Sequence, residues 1–366
     1  MSTKLIHKRP PTLAAALERP ANLLTPVRLL LALGVVLGHS FVNIIGDGDP
    51  EPLILFNITI SYAAVNGFFV LSGLLISRSF ERRPDLIRFI VARALRLMPA
   101  LIVLSLLAVF VFGPIFTALS PWAYFTDTQN WRYLCDVLTF GNTSGGPAQI
   151  YPDNPWAGEF SASLWTLRYE ALAYTGTVII ALTGLARTRT RVLVLFAGAV
   201  LAFVAVRAVP GVLPDAFTHL SRFAMAYLLG AVLYAWRDSI RISVPLAIGI
   251  TVLAFAFGPT ASYEIVLNFA LAAWILVIGF GLPAVLLPLA RIPDLSYGIY
   301  IWQWAVMQSL YALNLARDPL TMMALAIPLS AAIAAMSWFW IEKPALAQKT
   351  PLTAWLKSKV RAGKTA

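Results

Sequence analysis

Charge is the scarcest resource in this chain. Asp, Glu, Lys and Arg make up 12% of its 366 residues, about half the ~25% usual for a soluble globular domain. So few charges cannot cover the surface of a soluble fold of this length, and that class is excluded. Disorder is excluded by the same composition. Cys135 is the only cysteine, which rules out an intrachain disulfide framework. The three histidines, His7, His39 and His219, are too few and too scattered to build a metal site with it, so no metal is expected. Neither GxxxxGK[ST] nor GxGxxG occurs, which argues against a nucleotide-hydrolysing loop and a dinucleotide fold. The first 25 residues carry basic charge but no apolar core and no small-residue cleavage site, so a cleaved signal peptide is not expected.

What is present is apolar. Hydrophobic residues make up 59%. Ten stretches approach the ~20 residues that a bilayer crossing needs: 28–46, 57–77, 99–118, 162–184, 192–209, 219–236, 243–258, 263–281, 295–313 and 320–341. The expected fold is all-α and polytopic, with about ten transmembrane helices. The segment 282–294, interrupted by three prolines, reads as a re-entrant or interfacial loop. Residues 1–27 read as a tail, 28–341 as the transmembrane domain and 342–366 as a basic C-terminal tail.

Net charge is +11, but its placement argues for topology rather than for nucleic acid. With the N-terminus inside, 22 of the 28 lysines and arginines fall in the segments 1–27, 78–98, 185–191, 237–242, 282–294 and 342–366. That asymmetry is the positive-inside signal, and it predicts that both termini are cytoplasmic. The longest outer segment, 119–161, carries Trp122, Trp131, Trp156, Tyr124, Tyr133 and Tyr151 beside the run NTSGGPAQIYPDNP, which reads as flexible. Those rings fit an interfacial aromatic belt or a surface on which sugar rings stack.

Ionisable groups inside a span are costly and therefore functional candidates. His39 is the only histidine deep in a span, and Glu170 the only carboxylate. Arg28 and His39 are eleven residues apart, so they share a helix face ~16 Å apart along the axis. Counting from the span ends puts His39, Glu170 and Asn66 at nearly one depth. That arrangement fits a general base held by an acid partner, a structural hydrogen-bonded pair between helices, or a proton relay in a transporter. An ion pair of Glu170 with Arg168 or Arg222 is the competing arrangement. On the inner side, Arg93 and Arg96 are i, i+3 neighbours just before Pro99, which reads as the start of the third span, with Arg82, Arg83 and Arg88 nearby. Guanidinium clusters suit phosphates; the plainer reading is positive-inside charge or contact with anionic lipid.

Six blocks then occur in a telling order. VRLLLALGVVLGHSF pairs Arg28 with His39. NGFFVLSGLLIS spans 66–77, ARALRLMP spans 92–99, and SLWTLRYEALAY (163–174) carries Glu170 and Tyr174. LSYGIYIW spans 295–302, and WIEKPA closes the series. In these blocks, over roughly residues 25–345, the chain resembles the integral-membrane acyltransferases of family 3, in its short single-domain form. That family includes O-antigen, Nod-factor and exopolysaccharide O-acetyltransferases. Its members often carry a histidine where this chain has Gln303, which leaves His39 as the sole base candidate.

The resemblance implies transfer of an acyl group, most often acetyl, from cytoplasmic acyl-CoA to a hydroxyl of a cell-envelope or extracellular saccharide. The chain would sit in the bacterial inner (plasma) membrane. Acyl-CoA would be a substrate, and no cofactor would be permanently bound. The implied site has His39 and Glu170 as catalytic residues, and Arg28, Arg93, Arg96, Asn66 and Tyr174 as donor- or substrate-binding residues. The hydroxyl either attacks the thioester directly, with His39 as general base, or His39 is acylated first. Ser72, beside Gly73, reads as a close-packing position rather than a nucleophile. Two other functions remain open: a proton-coupled transporter of a glycolipid or polyol, and acylation of a small cytoplasmic molecule such as a macrolide.

Overall fold

The computed structural model describes residues 10–46, 51–55, 58–258 and 260–365, so His7 lies outside the described residues. Of the described residues, 77% are helical. Among them, twelve longer α-helices organise the fold: α1 (Leu24–Ile45), α2 (Ile60–Arg82), α3 (Leu86–Leu107), α4 (Thr128–Thr139), α5 (Leu167–Thr183) and α6 (Arg189–Ala208). They continue as α7 (Asp215–Ala235), α8 (Val244–Phe257), α9 (Ala261–Leu276), α10 (Ser296–Ala312), α11 (Pro319–Ser337) and α12 (Lys349–Thr365). Among the described residues, the strands form one small antiparallel hairpin, Leu53–Leu55 with Ile58–Thr59, between α1 and α2.

Helix starts follow local chemistry. Thr59, Asp85, Thr188, Ser243, Thr260 and Asp318 each accept a first-turn N–H at the start of their helix. Such caps satisfy donors that the helix itself leaves open. Among the described residues, seven helices are long and apolar enough to cross a bilayer. The predicted spans at 162–184, 243–258 and 295–313 are helical as well, but α5, α8 and α10 have only 17, 14 and 17 residues. Residues 284–291 in the proline-broken segment wind as a 3-10 helix.

Pro99 does not open the third span. It lies inside α3, which begins at Leu86 and continues through a π-helical turn to Phe116. A proline leaves one carbonyl of the preceding turn free, which membrane helices tolerate. Arg93 and Arg96 therefore sit within a helix, not in a loop before one.

The chain divides into two compact units. One comprises the chain up to Arg28, Asn66–Ser79 and Gly184–Ile292. Here α6 pairs with α7 and α8 with α9. The middle of α2 meets α7 backbone to backbone: a Cβ on Gly73 would lie 1.8 Å from the Tyr227 carbonyl oxygen, and one on Gly230 would lie 2.1 Å from that of Val70. Ser72 and Gly73 thus fall where the two helices touch most closely, as small-residue crossings in membranes require. Gly230→Ala is expected to lower the thermal stability of detergent-extracted protein by about 1–3 kcal/mol or more, because neither backbone can yield. Gly249→Ala, with nothing within 4 Å of its Cβ, is the control and should leave the melting midpoint unchanged or raised.

The other unit comprises Leu29–Val65, Phe80–Thr183 and Pro293–Ala366. Two polar ends define it. At one, α12 lies along α3 and Lys357 pairs with Asp85. The Lys357 ammonium, together with the Arg88 N–H, holds the Asp85 carboxyl below the ordinary carboxylate range. At the other, the segment 119–161 is pinned rather than loose. Asn130 accepts from Ala148 N at 2.9 Å, and Tyr151 Oη meets Ser309 Oγ at 2.8 Å. Asn154 Nδ2 donates to the Gln308 carbonyl at 2.9 Å, and Trp156 Nε1 donates to that of Val42 at 2.8 Å. The run that reads as flexible in sequence is thereby tied to the C-terminal ends of α1 and α10.

Candidate active site

The site is built around His39, two turns before the end of α1. Small residues let α1 approach the start of α2: a Cβ on Gly34 would stand 3.4 Å from Ala64 Cβ. The His39 ring is half-buried, and Trp304 of α10 meets it edge-on, with centroids 5.3 Å apart at 89°. Trp304 in turn meets Trp156 at 5.9 Å. Gln303 and the Glu51 carboxylate are the polar groups that act on the imidazole.

Around this ring, hydrogen bonding is incomplete. His39 Nδ1, Gln303 Oε1, Trp304 Nε1 and Asn43 Oδ1 are all shielded from solvent, and none has a hydrogen-bond partner among the described residues. Asn43 is one turn beyond His39, and its amide nitrogen reaches Gln308 Oε1 at 3.3 Å. A buried polar atom without a partner costs about 1–3 kcal/mol, and most are satisfied in folded proteins. Four together, offering both donors and acceptors, mark a place suited to a hydroxyl-bearing ligand. Tryptophan faces beside them suit an apolar ring surface.

Glu170 is not at this level. It accepts a hydrogen bond from Tyr174 one turn along α5, and no contact joins it to His39 among the described residues. The expected His39–Glu170 pair is therefore corrected. The physical reason lies before α5, where residues 162–166 form a 3-10 turn packed against α10. Ser163 Oγ donates to the Tyr300 carbonyl at 3.1 Å, and Tyr300 Oη donates to the Ser163 carbonyl at 2.8 Å. Tyr300 is about one turn before Trp304 on α10, so α5 starts a turn away from the level of His39, and Glu170 lies farther along, where its charge acts on Tyr297. Among the described residues, no ion pair joins Glu170 to either arginine: Arg168 donates to the carbonyls of Phe140 and Gly141, and Arg222 Nε donates to Asn66 Oδ1 at 2.7 Å.

Glu170 belongs instead to a cationic cluster at the other end of the same unit. Arg93 lies over the rings of Tyr174 at 5.5 Å and Phe89 at 5.9 Å, and its buried Nε has no hydrogen-bond partner among the described residues. Lys349, where α12 begins, feels the charges of Arg88, Arg83 and Arg93. Arg96 differs from these. Its guanidinium bridges Asp294 at 3.0 Å and Glu342 at 3.1 Å, over the rings of Tyr297 and Trp338. Ser296 and Ser337 donate to the two carboxylates. Arg96 is thus engaged by two acids, while Arg93 keeps donor capacity.

The structure brings Arg93, Arg96, Glu170 and Tyr174 together. Arg28 lies on α1 eleven residues before His39, and Asn66 is engaged by Arg222 in the other unit. Sequence reasoning missed Glu51, Asp294, Glu342 and Trp304 as parts of these clusters. Glu342 stood in the WIEKPA block, and Asp294 directly precedes LSYGIYIW, so both adjoined recognisable motifs. Glu51 follows a Gly/Asp/Pro stretch that reads as an ordinary loop.

Comparison with known proteins bears on this geometry. A family model described as an acyltransferase domain matches residues 26–340. The chain is 28% identical over 345 residues to an O-acetyl transferase of Shigella phage Sf6, covering 90% of this chain and 98% of that protein. It is 27% identical over 368 residues to Nodulation protein 10 of Rhizobium leguminosarum bv. viciae, covering 90% and 94%. No solved structure gives a significant match.

Proposed function

Because the chain belongs to the acyltransferase domain family that spans residues 26–340, we propose that it is a multi-pass O-acyltransferase of the bacterial inner membrane. It moves an acyl group, acetyl by analogy with the phage relative, from cytoplasmic acyl-CoA to a saccharide hydroxyl. The observation that carries this reading is the set of buried, unpartnered polar atoms around the His39 ring. Ten crossings with both termini cytoplasmic fit the 22 basic residues on one side.

The chemistry follows from the two clusters. Donor phosphates dock on Arg93, with Arg88, Arg83 and Lys349 beside it. Arg28, on α1 eleven residues before His39, is assigned to the donor by its place in the first family block alone. Arg96, occupied by its two acids, holds the cluster's frame. Along α10, the level of Tyr297 and that of Trp304 are ~10 Å apart, a gap that an extended thioester arm can bridge. At the upper level His39 takes the proton from the acceptor hydroxyl as its oxygen attacks the thioester carbonyl. The C–S bond breaks, the new ester forms, and the proton passes from His39 to the departing thiolate. Glu170 and Tyr174 act on the donor side, beside Arg93.

Arg93→Ala is expected to raise the KM for acyl-CoA about tenfold while leaving folding intact, as loss of a charge-assisted phosphate contact implies. Arg93→Lys should recover part of it, since an ammonium lacks the guanidinium fork. Steady-state kinetics with acetyl-CoA on membranes of matched protein content measure both. An unchanged KM in Arg93→Ala would return the cluster to a purely topological role.

A further inference from the structure

Among the described residues, Glu51 is the carboxylate whose charge acts on the His39 ring, and neither motif nor family match assigns it a role. It lies in the short connection between α1 and α2, and its position is fixed from two sides. Ser61, in the first turn of α2, gives it both a backbone N–H at 3.2 Å to Oε2 and a hydroxyl 2.6 Å from Oε2 and 2.7 Å from Oε1. Gly38, the residue before His39, supplies the space: a Cβ there would lie 2.5 Å from Glu51 Oε2 and 3.1 Å from Ser61 Cβ. The carboxylate therefore rests on the α1 backbone next to His39, and its charge acts on the imidazole.

We infer that Glu51 is a positioning residue for His39: its carboxylate, latched by Ser61 and admitted by Gly38, stabilises the imidazolium formed when the acceptor hydroxyl loses its proton. This rests on the proposed function above. It gives the base the acid partner that Glu170 does not supply. A fixed negative charge beside a ring that becomes positive in the transition state lowers the barrier without tightening the ground state. No bond to Glu51 forms or breaks; the proton goes from the hydroxyl to His39 and then to the thiolate.

The test is steady-state kinetics of acetyl transfer from acetyl-CoA, with full-length protein in native membranes at matched levels. The acceptor is polysaccharide extracted from the cells' own envelope. Glu51→Gln keeps the shape and the Ser61 hydrogen bond but removes the charge. It is expected to lower kcat about 10- to 100-fold, a portion of what general-base catalysis contributes, with the KM for acetyl-CoA unchanged. Glu51→Asp should recover part of kcat, and Ser61→Ala should cost turnover in the parent but little more in Glu51→Gln. Parent-like kcat in Glu51→Gln would overturn the inference, as would losses of kcat and protein yield that are equal in Glu51→Gln and Glu51→Asp. His39→Ala, run alongside, separates the two levels. Activity lost there but kept in Glu51→Gln removes Glu51 alone, activity kept in His39→Ala removes the base and the role of Glu51 with it, and no transfer by the parent removes the proposed function.

Discussion

Replacing His39 with alanine is expected to abolish acyl transfer while membrane insertion and yield stay at the parent's level. The ring is half-buried at its Trp304 contact, and Nδ1 has no partner among the described residues, so truncation breaks no hydrogen bond with them at that atom. It removes the group placed to accept the acceptor's proton. Loss of a general base costs about 10²–10⁴-fold in rate, which in membranes is indistinguishable from no activity. His39→Gln should be equally inactive, because an amide offers hydrogen bonds but cannot take the proton at neutral pH. Turnover is measured as label transferred from acetyl-CoA to polysaccharide, with expression followed by immunoblot. Near-parental turnover in His39→Ala would remove the base from the mechanism.

Arg96→Ala is expected to be destabilising rather than merely inactive. It strips the shared partner from Asp294 and Glu342, and Glu342 is almost wholly buried at 1% side-chain exposure. Removing one member of a buried pair typically costs about 3–5 kcal/mol. The lower end applies, because Arg96 and Asp294 keep 19% and 16% side-chain exposure. About 3 kcal/mol is a large share of the stability of a typical domain, so yield should fall sharply. Arg96→Lys should recover only part, since one ammonium cannot bridge two acids as a guanidinium does. Heating detergent-extracted protein and following the monodisperse fraction gives the midpoint. A parental midpoint in Arg96→Ala, joined to a raised KM for acetyl-CoA, would show that Arg96 serves the donor directly and not the frame.

The contrast between Arg93 and Arg96 shows where reading the sequence stops. Both arginines lie in one motif on one helix face, and their spacing gave no reason to separate them. What separates them is distant in sequence: Asp294 and Glu342 lie 198 and 246 residues from Arg96. The helices themselves were legible, because long apolar runs leave few alternatives in a bilayer. Where α3 begins was not, since Pro99 followed basic residues that read as a loop. The long stems of arginine let a charged helix end lie along apolar surface while its heads stay polar. Depth was the least legible quantity. Counting from position 162 treated the start of α5 as a surface, whereas Ser163 is tied to Tyr300 well inside the unit. That one boundary carried the expected His39–Glu170 pair, and it hid Glu51, whose approach depends on Gly38 having no side chain.

Stoichiometry decides whether the chain joins an acyl group from a coenzyme thioester to a saccharide hydroxyl at His39. Membranes containing the full chain are supplied with acetyl-CoA labelled in the acetyl group and with envelope polysaccharide. Free thiol and alkali-labile label in the polysaccharide are then counted together. Both are expected in equal amounts with the parent, and neither with His39→Ala. Thiol released without ester, or ester formed as fast by His39→Ala as by the parent, would contradict transfer at His39.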